Sequence, residues 1–249
     1  MKDYRPQDSF DQAAADIYDR DLRGDEQAAT EFLAELAGAG PALELAVGTG
    51  RIAIPLAATG VRLAGIDFSE PMLAKLRAKP GGERIEVTVG DFAEVAVEGS
   101  FRLIYLVFNT LFNLLGQDDQ VRCFRNVARH LTADGVFVVE AFTPGYLYRL
   151  REHQYVDAED VQGRRITLDV GRHDPVSQTL TESHVVLTPE HGVRLYPIVT
   201  RYAWPSELDL MARIAGLRLR ERWGDWRRGE FTADSRLHVS VYERDEPTE

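Results

Sequence analysis

The chain has 249 residues, of which 44% are hydrophobic and 28% are charged, a composition typical of a folded globular protein of one or two domains. The net charge of −11, together with the lack of any run rich in lysine or arginine, argues against a nucleic-acid partner. The single cysteine excludes an intrachain disulfide, and no apolar stretch approaches the roughly 20 residues of a membrane-spanning helix, so we expect a cytoplasmic protein that does not enter a membrane.

Two short helices are predicted within residues 11–36, and the most informative segment of the chain follows them. Residues 42–57 form an apolar run, a turn of small residues (Ala46, Gly48 and Gly50) and an amphipathic stretch, in the order strand, tight loop, helix. Glycine at the last two turn positions permits a positive φ or a close approach of the backbone to a ligand. In doubly wound α/β domains, a loop of this kind lies where nucleotide-like ligands bind.

Four further strands of a parallel sheet are predicted at residues 61–66, 85–89, 103–107 and 136–139. Three of these strands are followed by polar side chains, namely Asp67, Asp91 and Asn109. Because the carboxyl ends of parallel strands lie at one edge of the sheet, we expect these side chains to surround a common ligand.

The residue types at these strand ends indicate which ligand is bound. The carboxylate of Asp67 can accept hydrogen bonds from both hydroxyl groups of a ribose. Asp91 offers an acceptor for the amino group of an adenine, and Phe92 beside it offers one apolar wall for the ring. Phe68 and Met72 can supply the opposite wall.

The glycine loop adds two constraints on the same ligand. Glu44 places a negative charge where a pyrophosphate would be repelled and an amine-bearing ligand would not. The helix N-terminus after Gly50 can bind an isolated carboxylate. A ribose, an adenine, an amino group and a carboxylate together describe S-adenosylmethionine.

A nicotinamide-dependent dehydrogenase would instead need Gly-x-Gly-x-x-Gly, and the third position after Gly50 is Ala53.

From about Tyr18 to Phe142, the sequence resembles the class I S-adenosylmethionine-dependent methyltransferases. The matching motifs are residues 43–50, Gly65-Ile-Asp67, Gly90-Asp91 and the loop around Asn109. The resemblance implies an α/β fold with a Rossmann-like, doubly wound, seven-stranded sheet whose last strand is antiparallel. One departure is Ala46, where the family usually has the first glycine of its loop, and we expect Ala46 to keep a negative φ.

The resemblance also implies which residues contact the cofactor S-adenosylmethionine. In small-molecule members of the family, segments before the glycine loop often fold over the donor and contribute a tyrosine, a role that we assign to Tyr18. The full set of expected cofactor-binding residues is Tyr18, Glu44, Ala46, Gly48, Thr49, Gly50, Arg51, Asp67, Phe68, Met72, Asp91, Phe92, Asn109 and Leu111. We therefore expect residues 1–40 to form a helical lid, and residues 41–144 and 204–244 to form the cofactor-binding α/β domain.

In residues 145–203, the pattern changes to alternating polar and apolar residues, which predicts an antiparallel β insert of three strands, or four if residues 155–161 form one. An insert at this position would cover the acceptor side of the cofactor pocket, as in the deoxysugar N-methyltransferases and glycine N-methyltransferase-like enzymes, which the architecture resembles. The expected acceptor-binding residues are Phe112, Tyr146, Trp223, Trp226 and Arg227, and the segment 223–228 could meet an acidic or phosphate-bearing acceptor.

The predicted function is methyl transfer from S-adenosylmethionine to a nitrogen or oxygen atom of a small molecule, by a monomer or homodimer. The alternative is a binding protein of the same fold with non-methylating chemistry, such as a cyclase, or with a regulatory role. Because the methyl donor is already activated, a general base is needed only for a hydroxyl or a protonated amine, so the catalytic residues stay open, with Tyr18 and His153 as candidates. No spacing of metal ligands is evident, and we expect no metal.

Overall fold

The computed structural model describes residues 4–20, 23–94 and 97–245 of the chain. The α-helices are α1 (Gln12–Ile17), α2 (Glu26–Ala37), α3 (Ala53–Ala58), α4 (Glu70–Ala78), α5 (Gln117–His130) and α6 (Pro205–Ile214). The strands are β1 (Ala42–Leu45), β2 (Leu63–Asp67), β3 (Glu86–Val89), β4 (Phe101–Leu106), β5 (Leu131–Phe142), β6 (Gln154–Gln162), β7 (Arg165–Asp174), β8 (Thr179–Thr188), β9 (Gly192–Arg201), β10 (Leu217–Trp223) and β11 (Leu237–Arg244).

Seven strands form one sheet in the order β3-β2-β1-β4-β5-β11-β10. Strands β1 to β5 pair in parallel, and β11 runs antiparallel between β5 and β10. The predicted doubly wound sheet with an antiparallel last strand is therefore confirmed. The strands predicted at residues 61–66, 85–89 and 103–107 match β2, β3 and β4 to within two residues at their ends, whereas β5 begins five residues before the predicted 136–139 and ends three residues after it.

Apolar side chains cover both faces of this sheet. On one face, α5 and α6 pack through residues such as Phe124 and Leu208. On the other face, α2, α3 and α4 pack through residues such as Leu33, Leu56 and Leu76. Burial on both faces explains why the parallel strands appear in the sequence as nearly continuous apolar runs.

A second sheet contains β6, β7, β8 and β9 in sequential antiparallel order, so the fourth strand of the insert is present. Strand β6 lies at the edge of this sheet, and its register with β7 shifts between Ala158 and Asp160. Gln120 of α5 joins this sheet to the larger one. Its side-chain amide donates to the backbone carbonyl of Arg201 (2.8 Å), and its side-chain carbonyl accepts from the guanidinium of Arg201 (2.8 Å).

The N-terminal segment lies across the junction of the two sheets. The hydroxyl of Ser9 donates to the carbonyl of Pro197 in β9 (2.6 Å), and the hydroxyl of Ser69 before α4 donates to the carbonyl of Phe10 (2.6 Å). An ion pair between Asp16 and Lys75 (2.7 Å) adds a further contact with α4. The division into a lid (residues 1–40), a cofactor domain (41–144 and 204–244) and an insert (145–203) remains a prediction, and residues 1–3 and 21–22 of the lid lie outside the described residues.

The Gln120 contacts lead to a stability prediction. Gln120→Leu keeps the side-chain volume but leaves the buried guanidinium of Arg201 and two backbone carbonyls without this partner. We expect the free energy of unfolding in urea to fall by about 2 kcal/mol, in the range for buried groups that lose a hydrogen-bond partner. Gln117→Leu, at an exposed position of the same helix, is the matched control and should change stability by less than about 0.5 kcal/mol. Equal stability of the two variants would contradict the prediction.

Candidate active site

A cavity of about 380 Å³ lies between the carboxyl ends of β1, β2 and β4, the N-terminal segment, and the inner face of the four-stranded sheet. Its lining comes from five parts of the chain: the N-terminal segment, the glycine loop, the strand ends, the segment after β5, and strands β8 and β9. The lining residues are Phe10, Tyr18, Ala46, Gly48, Asp67, Phe68, Met72, Phe92, Phe108, Asn109, Thr110, Asn113, Phe142, Tyr146, Glu182, His184, Ile198 and Thr200. The predicted residues Tyr18, Ala46, Gly48, Asp67, Phe68, Met72, Phe92, Asn109 and Tyr146 thus lie around one space.

The glycine loop between β1 and α3 has an unusual backbone. Ala46, Gly48 and Gly50 have φ values of +56°, +53° and +77°, all in the left-handed region. The expectation of a negative φ at Ala46 is therefore wrong. The loop must reverse direction within five residues after β1, and the backbone at Ala46 takes the conformation that a glycine would take without strain. Ala46 is one of the residues that line the cavity.

Asp67, at the end of β2, is fixed by backbone donors. One carboxylate oxygen accepts from the amide of Gly48 and the other from the amide of Ser69, both at 2.8 Å. Asp67 is buried, with only 6% of the residue exposed. Burial raises the pKa of Asp67, and the hydrogen bonds from these amides oppose that shift. The remaining lone pairs of the carboxylate face a cavity where a ligand can supply the donors.

The expected walls for an adenine lie on the cavity, but the expected acceptor for its amino group does not. Phe68, Met72 and Phe92 all line the cavity. Asp91 is exposed, and one of its carboxylate oxygens accepts from the amide of Ala93 (2.8 Å) in a turn after β3. The strand end is where it was predicted, but the turn directs this carboxylate outward.

Five other predicted cofactor residues lie behind the cavity wall: Glu44, Thr49, Gly50, Arg51 and Leu111. Glu44 is buried beneath the loop, accepts from the hydroxyl of Tyr105 (2.8 Å), and has its pKa raised to about 8 by burial. It therefore supports the loop and does not present a charge to the ligand. Leu111 is fully buried in the core.

Thr49 and Arg51 hold the N-terminal segment in place. The hydroxyl of Thr49 donates to Asp19 (2.6 Å), whose carboxylate also pairs with Lys79 (2.7 Å). The guanidinium of Arg51 lies 4.8 Å from the ring centre of Tyr18 and 4.6 Å from that of Phe108. These contacts place the ring of Tyr18 at the cavity.

Most of the predicted acceptor residues are elsewhere. Trp226 is buried against Phe32 of α2, with ring centres 5.5 Å apart, and Trp223 and Arg227 also lie on that side of the sheet. Phe112 is fully buried and packs edge-on against Phe142. Residues 223–228 therefore do not form the predicted rim of this cavity. Their aromatic side chains lie on the face of the seven-stranded sheet that α2 covers.

His153 does not reach the cavity either. It is exposed and lies in a separate groove, with its ring centre 5.7 Å from that of His173. It belongs to a turn before β6 in which Glu152 and His153 both have a positive φ.

The sequence interpretation missed the strand residues that close the acceptor side. Glu182 and His184 come from β8, and Ile198 and Thr200 from β9. The alternation predicted for this region would have placed positions 182 and 184 on one face with buried Leu180, and this signal was available in the sequence. The other missed lining residues are Phe10, Phe108, Thr110, Asn113 and Phe142.

Comparisons with known proteins agree with this geometry. Residues 42–135 match a family model described as a methyltransferase domain. The chain is 42% identical to the CcbJ methyltransferase from Streptomyces caelestis. The match covers 98% of this chain and 100% of that chain, with a TM-score of 0.92. It is 28% identical over 210 residues to the cypemycin N-terminal methyltransferase from Streptomyces sp., covering 81% of this chain and 82% of that protein. An S-adenosylmethionine-dependent methyltransferase from Clostridium acetobutylicum has the same fold at 15% identity, covering 94% of this chain and 98% of that chain, with a TM-score of 0.79.

The position of Asp67 leads to a binding prediction. Asp67→Asn keeps the shape of the side chain but removes its charge and one acceptor. We expect the binding of S-adenosylhomocysteine to weaken by about 1.5–3 kcal/mol in binding free energy, the range for a hydrogen bond to a charged group. Calorimetry measures this change. Asp118→Asn, at an exposed position of α5, is the control for the loss of one charge and should bind like the unmodified chain. Unchanged affinity of Asp67→Asn would remove this residue from the site.

The backbone of Ala46 leads to a stability prediction. Ala46→Gly relieves the left-handed strain of an alanine, so we expect the free energy of unfolding to rise by about 1 kcal/mol. Ala64→Gly in β2 is the matched control and should lower it by about 0.5–1 kcal/mol, since glycine weakens a regular strand. Thermal or urea denaturation measures both, and a destabilised Ala46→Gly variant would contradict the strain argument.

Proposed function

Because the chain belongs to the class I S-adenosylmethionine-dependent methyltransferases, we propose that it methylates a nitrogen atom of a small organic molecule bound beside the cofactor. The observation that carries this proposal is a single cavity with two chemically distinct ends. The glycine loop and Asp67 lie at one end, and Glu182 and His184 lie at the other.

The residues at the first end fit the cofactor. In our proposal, Asp67 accepts the ribose hydroxyl groups, and Phe68, Met72 and Phe92 enclose the adenine. The backbone at Gly48 lies against the rest of the ligand, because a residue without a side chain allows a close approach. When bound, S-adenosylmethionine supplies a methyl group on a positively charged sulfur, which makes the group reactive toward a nucleophile.

The protein's own contribution is alignment and the exclusion of water. Phe10 and Tyr18 cover the cavity from the N-terminal side, and the bonds from Ser69 to Phe10 and from Thr49 to Asp19 fasten this cover. A closed site keeps the acceptor in line with the methyl group, which is the main requirement for transfer from an activated donor. We assign Tyr18 to this covering role and propose no catalytic role for His153.

Two observations favour nitrogen over oxygen as the methylated atom. The cypemycin enzyme, at 28% identity, is named for methylation at an N-terminus. The acceptor end of the cavity also carries the carboxylate of Glu182, which attracts a cationic amine and repels an acidic acceptor. The Trp223–Arg227 region, which could have met an acid, faces away from the cavity.

We further propose a cytoplasmic monomer or homodimer without a nucleic-acid partner, in keeping with the net charge of −11. Among residues 4–20, 23–94 and 97–245, no helix is long and apolar enough to cross a membrane.

Two measurements test the proposed function. In calorimetry, S-adenosylhomocysteine should bind and NAD should not, because the loop lacks the third glycine of Gly-x-Gly-x-x-Gly and has Ala53 at that position. With methyl-labelled donor and a panel of small amines, label should appear in a methylated amine. Binding of NAD alone would overturn the cofactor assignment. Loss of the methyl group from the donor without any methylated product would favour the non-methylating alternative.

A further inference from the structure

The acceptor end of the cavity contains a cluster of side chains that the sequence analysis did not single out. The ring of Tyr155 lies across Gly171, where an added Cβ would come within 2.1 Å of a ring carbon. This placement brings the Tyr155 hydroxyl into hydrogen-bond contact with Glu182, and within 3.2 Å of a carboxylate oxygen of Asp169. A phenol has one proton to donate, so it can serve only one of these two carboxylates at a time.

Two buried polar atoms at this end lack hydrogen-bond partners. The other carboxylate oxygen of Asp169 is buried and accepts no hydrogen bond, although the imidazole of His184 lies 3.9 Å from it, and the hydroxyl of Thr200 is buried without a hydrogen-bond partner. Thr200 is only 5% exposed and lines the cavity. Buried polar atoms without partners are costly, and a ligand with N–H donors would satisfy the carboxylate oxygen while the hydroxyl of Thr200 accepts or donates a further bond.

The charge balance of the cluster is negative. His184 pairs with Glu159 (3.2 Å), and this hydrogen bond raises the pKa of the imidazole. Among the described residues that line the cavity, His184 carries the only basic side chain. Asp169 and Glu182 therefore exceed the positive charge that faces them, and they favour a cationic ligand.

We propose that Asp169, Glu182 and Thr200 form the acceptor subsite for a protonated amine, and that Glu182 accepts the proton which the amine must lose before it is methylated. This inference rests on the proposed function, and it identifies the acceptor class and the residue that prepares it.

The proton step is balanced within the site. The N–H bond of the ammonium breaks and an O–H bond forms on the carboxylate of Glu182. The nitrogen keeps the electron pair and becomes neutral, so it becomes a nucleophile, while Glu182 becomes a neutral carboxylic acid. Burial raises the pKa of Glu182 to about 7, which makes the carboxylate a better proton acceptor than an exposed glutamate.

Matched probes separate recognition of charge from recognition of shape. Cyclohexylamine and cyclohexanol share a ring and differ in the charged group. Their affinities are measured by calorimetry on the protein saturated with S-adenosylhomocysteine. We expect the amine to bind at least tenfold more tightly than the alcohol. Glu182→Gln and Asp169→Asn should each weaken amine binding roughly tenfold and leave alcohol binding unchanged.

The control is Glu190→Gln, which removes one carboxylate in the exposed turn between β8 and β9, where Glu190 pairs with Arg164 (3.2 Å). It should bind both probes like the unmodified chain. S-adenosylhomocysteine binding by each variant shows that the fold is intact. If either Glu182→Gln or Asp169→Asn fails to fold, the other variant still tests the proposal.

The pH dependence gives a second readout. The groups that face Glu182 are Tyr155 of β6, Asp169 of β7, His184 of β8 and Tyr146 after β5, while β9 contributes the uncharged Ile198. An ammonium binds the ionised form of Glu182, which becomes populated as the pH rises through about 7. Amine affinity should therefore increase about tenfold from pH 6 to pH 8, and this increase should disappear in Glu182→Gln.

The outcomes separate the two proposals. Equal affinity for the amine and the alcohol, or unchanged amine affinity in both variants, overturns the acceptor subsite even when the protein binds S-adenosylhomocysteine and transfers methyl groups. Failure of the unmodified protein to bind S-adenosylhomocysteine overturns the proposed function itself, and this inference with it.

Discussion

The carboxylate of Asp67 determines how the cavity is built. By accepting from the amides of Gly48 and Ser69, it joins the glycine loop, the end of β2 and the start of α4. Ser69 extends the chain of contacts, since its hydroxyl donates to the carbonyl of Phe10 and so holds the N-terminal cover. A single buried anion with four lone-pair sites can satisfy several backbone donors at once, which no neutral side chain of this size does as well. The glycine loop on one side of the cavity and the N-terminal segment on the other thus depend on the same carboxylate.

Burial assigns different roles to the acidic residues around this cavity. Glu44 lies beneath the loop, where desolvation raises its pKa to about 8, and it serves as a largely neutral support for the loop. Asp67 keeps its backbone donors, and these favour its charged form. On the opposite wall, Asp169 and Glu182 share one phenol, that of Tyr155. In our interpretation, each end of the cavity is thereby matched to a ligand that carries positive charge, namely the sulfonium donor at one end and the amine at the other.

The sequence predicted the fold and the cofactor end of the cavity far better than the acceptor end. Parallel strands bring their carboxyl ends together by topology, so residues such as Asp67 and Phe68 could be placed from strand order alone. The acceptor end depends on contacts between segments far apart in sequence. Trp226 packs on Phe32, a contact that no local pattern indicates. Asp91 follows the predicted strand, but a turn directs it outward, and the backbone of Ala46 could be known only from the loop geometry.

The edge of the four-stranded sheet has a consequence for self-association. Strand β6 carries Asp157, Glu159 and Asp160 close together, and its register with β7 is interrupted at the same place. A second copy that added a strand here would bring like charges into contact and would meet a break in the hydrogen-bond ladder. Acidic side chains and a bulge at an exposed edge are recognised protections against such pairing. We therefore infer that the charges and the bulge of β6 disfavour the addition of a fifth strand to this sheet. Fibre-like association of the protein through this edge is disfavoured for the same reason, even at high concentration.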